Sequence, residues 1–455
     1  MQNLTAKTEL KGQGRRQRYW ASAITSTLLL LWLCAGTGAK AQSESSELDQ
    51  FSPNPLELTT SDPLLPNPPK EGESLSPANR QELAAALNQL NLEALAFLQG
   101  GDAVKAFETW NRELRLRRYL GPIAEMEALG RVGRIALDNG QRVEAQFITQ
   151  RLLAMQKALL TQETVNLEQL QALGLAFQQV QAKGPTVEVY QKITEEARSR
   201  QDVIGEAESL RAIGKIHLKW LNYEKAAVVY ENLAELIQEH RDLFLANAAA
   251  FNGGGTRGTN ATSGSENAPA PTPPPTEEES LKQLAYIYTQ ARKPLQAIAV
   301  REKLIALYMN QQNLRGVPPL KIAIASDYET LGQRNLASQY YQEAYNLAVG
   351  IQQFAHASDA LERLAALYRS QKQMEAALKI YQMQLVVQQQ SYNLYGLMDT
   401  YDRIGEVYKE LKAYRRALEA FQKGLEVATQ LNHRQEYFAK KIQKVNRQMG
   451  VKSSQ

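Results

Sequence analysis

The chain has 455 residues, of which 44% are hydrophobic and 22% charged, with 52 Lys and Arg against 48 Asp and Glu and a single cysteine. This length fits three ordinary domains or one long repeat array, because an array grows in one dimension. Helix-favouring residues dominate and no stretch shows the alternation that strands need, so the composition excludes a strand-rich fold and predicts an all-α one.

Residues 1–41 have the pattern of an export signal. A basic start from Lys7 to Arg18 precedes an apolar run centred on Leu28 to Trp32, and a small-x-small sequence follows. The pattern predicts a signal peptide that is cleaved before Gln42. The apolar run of about 15 residues is shorter than the ~20 that span a bilayer, and an uncleaved membrane anchor is the alternative.

Cleavage would change the charge balance of the chain. Residues 1–41 hold six basic and one acidic residue, so the net charge would change from +4 to −1. The basic excess therefore belongs mostly to the signal, and the composition gives no support for nucleic-acid binding. Cys34 lies in the same segment, so the mature chain would form neither a disulfide nor a thiolate metal site.

Residues 42–78 carry seven prolines together with many Ser, Glu and Asn residues. Such a composition does not bury enough apolar surface to offset chain entropy, which predicts a disordered Pro-rich linker. Ser76 and Pro77 then have the pattern of a helix N-cap followed by proline in the first turn, and helical periodicity begins there.

From about residue 79 the chain repeats itself. A small residue recurs at spacings of 39, 41, 40, 71, 40, 40 and 40 residues, and twelve positions later an alanine follows in seven of eight units. The recurring small residues, called frame residues below, are Ala94, Gly133, Gly174, Gly214, Ala285, Ala325, Ala365 and Gly405. Sixteen positions after them stand Trp110, Thr149, Tyr190, Tyr230, Arg301, Tyr341, Tyr381 and Phe421.

Columns of small and aromatic residues at these spacings are typical of packed helices. Two helices approach to about 8–10 Å only where one offers a small side chain for the ridge of the other. Each unit is therefore predicted to be an antiparallel helical hairpin, whose exposed apolar stripe is covered by the next hairpin. The predicted fold is all-α, a right-handed α-solenoid of stacked hairpins with a C-terminal capping helix.

The 71-residue spacing divides the array into two groups of four units. Residues 79–246 hold the first four units and residues 281–431 the last four. Between them, residues 247–280 are rich in Gly, Asn and Pro and are predicted to be a disordered insert. Residues 432–450 carry apolar residues on one face and lysines elsewhere, which predicts the polar-backed capping helix that a solenoid end needs.

The columns resemble the tetratricopeptide repeat. Ile404-Gly405-x-x-Tyr408 followed by Ala417-x-x-x-Phe421 matches the pattern of that family. The 40-residue period resembles the long-helix members of the family, such as those in kinesin light chain. Thr149 and Arg301 depart from the pattern where it has a second-helix aromatic residue, which makes units two and five the weakest matches.

No motif in the sequence predicts catalysis or a cofactor. The four histidines fall in different units without ligand spacing, and neither a Gly-x-Ser-x-Gly elbow nor a phosphate-binding loop occurs. The prediction is therefore a binding scaffold and not an enzyme, with no catalytic, cofactor or metal site.

The resemblance implies that the first helix of each unit lines a concave face, at positions −6, −3, +1 and +4 from the frame residue. Toward the N-terminal half and into the fifth unit, these positions give Arg134, Gln171, Gln178, Arg211, Lys215, Lys282, Tyr286 and Thr289. In the C-terminal half they hold Glu329, Asp359, Glu362, Arg369, Asp399, Asp402, Glu406 and Lys409. The predicted groove is basic and polar first and acidic later, and the hypothesis is that Arg211 and Lys215 pair with carboxylates of a partner. Ordinary solvated charges are the alternative interpretation.

Two functions fit these observations. The first is an exported scaffold or assembly factor of the periplasm or cell envelope, or of a thylakoid lumen, which binds a protein or an extended peptide. The second is a membrane-anchored structural or assembly subunit that retains its N-terminal segment. Neither involves nucleic acid, and only the second involves a membrane.

Overall fold

The structure of the chain is a computed structural model, which describes residues 54–58, 61–69, 73–162, 166–252 and 273–450. The predicted signal peptide, residues 1–41, lies outside the described residues. The chain divides into two compact units between Pro63 and Leu64. In the first unit, a turn is closed by a hydrogen bond from the Glu57 amide to the Asn54 carbonyl oxygen (2.9 Å).

The second unit contains eighteen α-helices and, over its described residues, no strand. They are α1 (Pro77–Gln99), α2 (Ala103–Arg117), α3 (Pro122–Asp138), α4 (Arg142–Leu160), α5 (Leu167–Gln179), α6 (Lys183–Ser199), α7 (Val203–Lys219), α8 (Tyr223–Glu239), α9 (Arg241–Asn252), α10 (Glu277–Gln290), α11 (Pro294–Asn310), α12 (Val317–Thr330), α13 (Arg334–Gly350), α14 (Phe354–Ser370), α15 (Met374–Gln390), α16 (Leu394–Glu410), α17 (Tyr414–Gln430) and α18 (Gln435–Gln448). Helices α1 to α8 and α10 to α17 pair as eight hairpins, so the predicted all-α solenoid is confirmed.

The frame residues lie in the first helix of every hairpin, at close contacts between helices. A Cβ atom added to Gly405 would lie 2.4 Å from the Phe421 ring, and one added to Gly214 would lie 2.6 Å from the Tyr230 ring. Both rings belong to the column sixteen positions later, and both are buried. The small residue is therefore required because an aromatic ring of the same hairpin occupies the space beside it.

The two units that depart from the pattern fill this space differently. In the second hairpin, Gly133 contacts Val180 and Ile148 instead of a ring. In the fifth, the buried Arg301 extends to the next hairpin, where its guanidinium pairs with Asp327. An ion pair thus stands where most of the other hairpins place an aromatic ring.

The turns between helices explain the 40-residue period. Ten of the described helices are 17 residues long, including α6, α7 and α8, and the turns that follow all of them except α8 contain a residue with positive φ. Such residues recur at intervals of twenty at Gln181, Gln201 and Leu221, and again at Arg292, Gln312, Gly332, Gln352, Lys372, Tyr392, Lys412 and Asn432. At each of these turns the amide of the next residue donates a hydrogen bond to the carbonyl oxygen five residues earlier, as from Gln373 to Tyr368 (2.9 Å), and this bond closes the helix end.

The array continues on both sides of the predicted insert. Tyr230 of α8 and Phe244 of α9 belong to the same buried cluster as Leu281 and Leu284 of α10. Helix α9 extends to Asn252 and α10 begins at Glu277, so both ends of the segment 247–280 are helical and not disordered as predicted. Residues 253–272 lie outside the described residues.

Part of the Pro-rich segment packs on the first hairpin. Leu65 and Leu75 contact a buried cluster that includes Leu83 and Leu87 of α1, whereas a disordered linker was predicted for residues 42–78. The difference arises because two apolar residues in this segment cover the end of the array, which otherwise exposes leucines.

Helix α18 covers the other end of the array. Its Phe438 is fully buried, and a Cβ atom added to Gly424 of α17 would lie 2.4 Å from that ring. None of the helices in the described ranges is both long and apolar enough to cross a bilayer.

Candidate functional site

An open groove of about 720 Å³ lies on the first helices of the second, third and fourth hairpins and on part of α6. Five predicted residues line it: Arg134 of α3, Gln171 and Gln178 of α5, and Arg211 and Lys215 of α7. The stacking of successive hairpins places these three helices beside the same groove, so that positions equivalent in the repeat face one concavity. This concavity is called the N-terminal groove.

The lining of the N-terminal groove combines charge with apolar surface. Its basic residues are Arg134, Lys183, Arg211, Lys215 and Lys219, and its acidic residues are Asp138 and Glu208. Its large apolar side chains are Leu175, Tyr190, Ile193, Ile216 and Trp220. The excess of positive over negative side chains gives the groove a field that attracts anionic groups.

Two large apolar residues of the groove are accessible to a partner. Trp220 is 47% exposed and Leu175 is 42% exposed. The Lys183 ammonium lies 5.5 Å from the centre of the Trp220 ring, a cation–π distance. Among the described residues, no carboxylate pairs with Arg134, Lys183 or Lys219. The sequence did not predict Trp220 or Lys183 as groove residues, because they stand outside the four repeat positions considered.

Arg211, which was predicted to pair with a carboxylate of a partner, contacts another part of the chain itself. Arg211 is 6% exposed, donates from Nη1 to the Pro273 carbonyl oxygen (2.6 Å) and lies 3.5 Å from a carboxylate oxygen of Glu279. Lys215 lies 3.9 Å from the same carboxylate. The carboxylate predicted for a partner is therefore supplied by the first turn of α10, because the acidic start of that helix packs beside α7.

Burial shifts the pKa values of two titratable groups at the groove and beside it. Burial raises the pKa of the Tyr190 hydroxyl to about 12. Burial also lowers the pKa of His217, and the ammonium groups of Lys183 and Lys225 act in the same direction. His217 Nδ1 is buried and has no hydrogen-bond partner among the described residues.

The predicted acidic half of the groove is bound by the chain itself. Arg434 pairs with Asp399, and Lys441 of α18 pairs with Asp402 and Glu406. Arg403 of α16 pairs in the same way with Glu362 of α14. The acidic residues of one first helix therefore meet cations of the next hairpin or of the capping helix, and they do not form an open acidic surface as predicted.

The remaining predicted residues lie apart from the N-terminal groove. Lys282 pairs with Glu278, Asp359 with Arg363, and Arg369 with Glu410. Glu329 accepts a hydrogen bond from Tyr341, Thr289 accepts one from Arg301, Lys409 pairs with Glu406, and Tyr286 is half-exposed. None of these residues lines the N-terminal groove.

Lys441→Met is expected to lower the free energy of unfolding by about 1–2 kcal/mol, because it leaves Asp402 and Glu406 without their shared cation. Burial opposes the charged form of Glu406, but Lys409 and Lys441 nevertheless lower its pKa. This stabilisation is therefore complete above the unfolded pKa of about 4.3 and is lost as the pH falls through the lower folded value.

Urea unfolding of wild type and variant at pH 7 and near pH 3 measures this difference. Lys440→Met is the matched control, because Lys440 and its partner Glu436 are both exposed and their contact contributes little. An equal effect of the two substitutions at pH 7 would contradict the assigned role of Lys441.

The family model of the tetratricopeptide repeat matches residues 356–430, which extend from α14 to the end of α17. No curated protein sequence matches the chain at a significant level.

Solved structures of repeat proteins are similar to this chain. BtubC (BKLC) from P. vanneervenii is 17% identical with a TM-score of 0.34, over 55% of this chain and 92% of that one. A kinesin light chain with nearly identical TPR-like repeats from Podosopora anserina is 13% identical with a TM-score of 0.33, over 49% and 95%. Aspartyl phosphate phosphatase F from Bacillus subtilis is 13% identical with a TM-score of 0.36, over 70% and 78%. At these values the similarities carry no argument about function.

Proposed function

We propose that this tetratricopeptide-repeat protein is a non-catalytic scaffold that binds an extended, acidic segment of a partner protein in the N-terminal groove. One observation carries the proposal. Side chains from equivalent positions of successive repeats line one concavity, and this lining contains five basic but only two acidic side chains. The acidic positions of the C-terminal half are not part of this site, because the chain already neutralises them.

The chemistry of the groove supports a protein segment as ligand. A volume of about 720 Å³ lies within the range of about 300–1,000 Å³ that is usual for binding sites. Exposed Trp220 and Leu175 offer apolar contact area, and Trp and Arg are the residues that most often dominate binding energy at interfaces. Arg134 and Lys219 lie ready to pair with carboxylates of the ligand.

Charge reversal in the groove tests this function. The double variant Arg134→Glu and Lys219→Glu is expected to lose the partners that the wild-type chain captures from the envelope fraction, because it replaces two attractive contacts by repulsive ones. Mass spectrometry of the proteins cross-linked to each chain identifies what is lost.

The matched control is the double variant Lys303→Glu and Lys379→Glu, which makes the same change in charge on exposed residues of second helices. This control is expected to keep the partners. If the groove variant retains every partner that the control retains, the N-terminal groove is not the binding site.

We also propose that the scaffold acts outside the cytoplasm, because residues 1–41 have the pattern of an export signal. Protein purified from the envelope fraction is expected to begin at Gln42, because the small-x-small sequence directly precedes it. N-terminal sequencing measures the start. A chain that retains residues 1–41 and sediments with membranes would instead favour the anchored subunit.

A further inference from the structure

The basic residues of the N-terminal groove fall into two groups. Arg134, Lys183 and Lys219 have no carboxylate partner among the described residues, whereas Arg211 and Lys215 share the carboxylate of Glu279. The second group lies at the side of the groove that adjoins α10. One part of the binding surface is therefore available, and the other is already occupied by the chain itself.

The occupying segment makes both kinds of contact that an extended acidic ligand would make. Its backbone accepts a hydrogen bond at the Pro273 carbonyl oxygen from Arg211 Nη1 (2.6 Å). Its side chain Glu279 lies 3.5 Å from the same guanidinium nitrogen and 3.9 Å from Lys215 Nζ. Backbone and carboxylate contacts to one arginine are what a groove uses to hold a peptide in register.

The contacts of this segment are not equally strong. The Arg211 side chain is 7% exposed, but the side chains of Glu279 and Lys215 are 34% and 57% exposed. Ion pairs with one partly solvated member and separations of 3.5 to 3.9 Å contribute modestly to stability. A ligand carboxylate that brings its own additional contacts can therefore replace Glu279.

We propose that the segment from Pro273 to Glu279 is an internal competitor for the N-terminal groove, which an acidic partner must displace from Arg211 in order to bind fully. The inference rests on the proposed function, and it adds regulation to that site. The apparent affinity for an acidic ligand equals the intrinsic affinity multiplied by the fraction of molecules in which Glu279 does not occupy Arg211. Removing the Glu279 charge therefore strengthens binding, although the substitution adds no contact to the ligand.

The substitution Glu279→Gln tests the competition. Fluorescein-labelled hexaglutamate is titrated against the full chain and binding is followed by fluorescence anisotropy, with labelled hexaglutamine as the uncharged control. The variant is expected to bind hexaglutamate about 1.5- to fivefold more tightly than wild type, the range that follows from loss of one partly exposed competing ion pair.

Glu277→Gln is the matched control, since it makes the same change in the same helical turn. Glu277 lies 3.9 Å from Arg241, which does not line the groove. The affinity of the Glu277→Gln variant for hexaglutamate should therefore equal that of wild type. Equal affinities of wild type and Glu279→Gln would overturn the inference, as would equal strengthening by both substitutions. Absence of hexaglutamate binding to either protein would overturn it too.

Hydrogen exchange gives a second measurement on the unaltered chain. The amides of residues 276–281 are expected to exchange faster when wild type is saturated with hexaglutamate, because the start of α10 loses its contact to Arg211. Unchanged protection at saturation would overturn the competition. Partner capture that depends on Arg134 and Lys219 would still support the proposed function, so the two failures are distinguishable.

Discussion

Replacement of Arg301 by methionine is expected to lower the free energy of unfolding by about 3 kcal/mol, because it leaves the Asp327 carboxylate buried without a cation. The two side chains are only 10% and 13% exposed. Arg301 also donates to Thr289 Oγ1 (2.6 Å), so the guanidinium joins three helices of two successive hairpins. Urea unfolding followed by circular dichroism measures the loss at pH 7.

The stability that Arg301→Met loses is expected to be smaller at low pH than at pH 7. Burial raises the pKa of Asp327 even though Arg301 opposes the shift, and removal of Arg301 raises that pKa further. An acid whose folded pKa exceeds its unfolded value penalises folding above the folded pKa, and the penalty disappears as the pH falls below the unfolded pKa. The Arg301→Met variant is therefore expected to regain much of its stability as the pH is lowered from 7 toward 4.

A double substitution tests the origin of the effect. Arg301→Met combined with Asp327→Asn removes the buried charge, so it should be more stable at pH 7 than Arg301→Met alone, since the amide carries no unpaired charge. A loss below about 0.5 kcal/mol for the single variant would show that the pair contributes no more than a surface contact.

The hairpins could be predicted from the sequence because their packing leaves a mark at fixed spacing. Gly214 with Tyr230 and Gly405 with Phe421 are separated by sixteen residues, and each glycine is small because the ring contacts it. This relation is local to one hairpin. It therefore appears as columns in the sequence, and the fold follows from those columns.

The polar contacts of the candidate site could not be predicted in this way. Asp402 and Lys441 stand 39 positions apart, and their pairing depends on how α18 docks, which no column records. Glu279 lies at the end of the predicted insert, so its contact with Arg211 depends on how the chain returns to the array. The positions of the charges were predictable from the repeat, but their partners were not.

The turns show a similar limit. The residue with positive φ is glycine at Gly332 but tyrosine at Tyr392 and leucine at Leu221. Glycine is the usual mark of such a helix end because it has no Cβ atom. Since most turns use another residue, the helix ends and the twenty-residue interval were less evident in the sequence than the packing columns.

Gly405→Leu is expected to lower the free energy of unfolding by about 3 kcal/mol, the upper part of the range for overpacked cores. A Cβ atom at this position would lie 2.4 Å from Cε1 of Phe421, whose side chain is fully buried. Leucine favours a helix over glycine by roughly 0.5–1 kcal/mol, which is too little to offset the clash. Thermal and urea unfolding of the full chain measure the change.

Gly350→Leu is the matched control, because a Cβ atom on this helical glycine meets no atom within 4 Å. Helix propensity alone acts there, so stability should stay equal or rise slightly. Adding Phe421→Ala to Gly405→Leu removes the ring that causes the clash, and this double variant should lose less than the two single losses combined. If the losses are simply additive, the two positions do not share one space, and the packing explanation of the repeat is wrong.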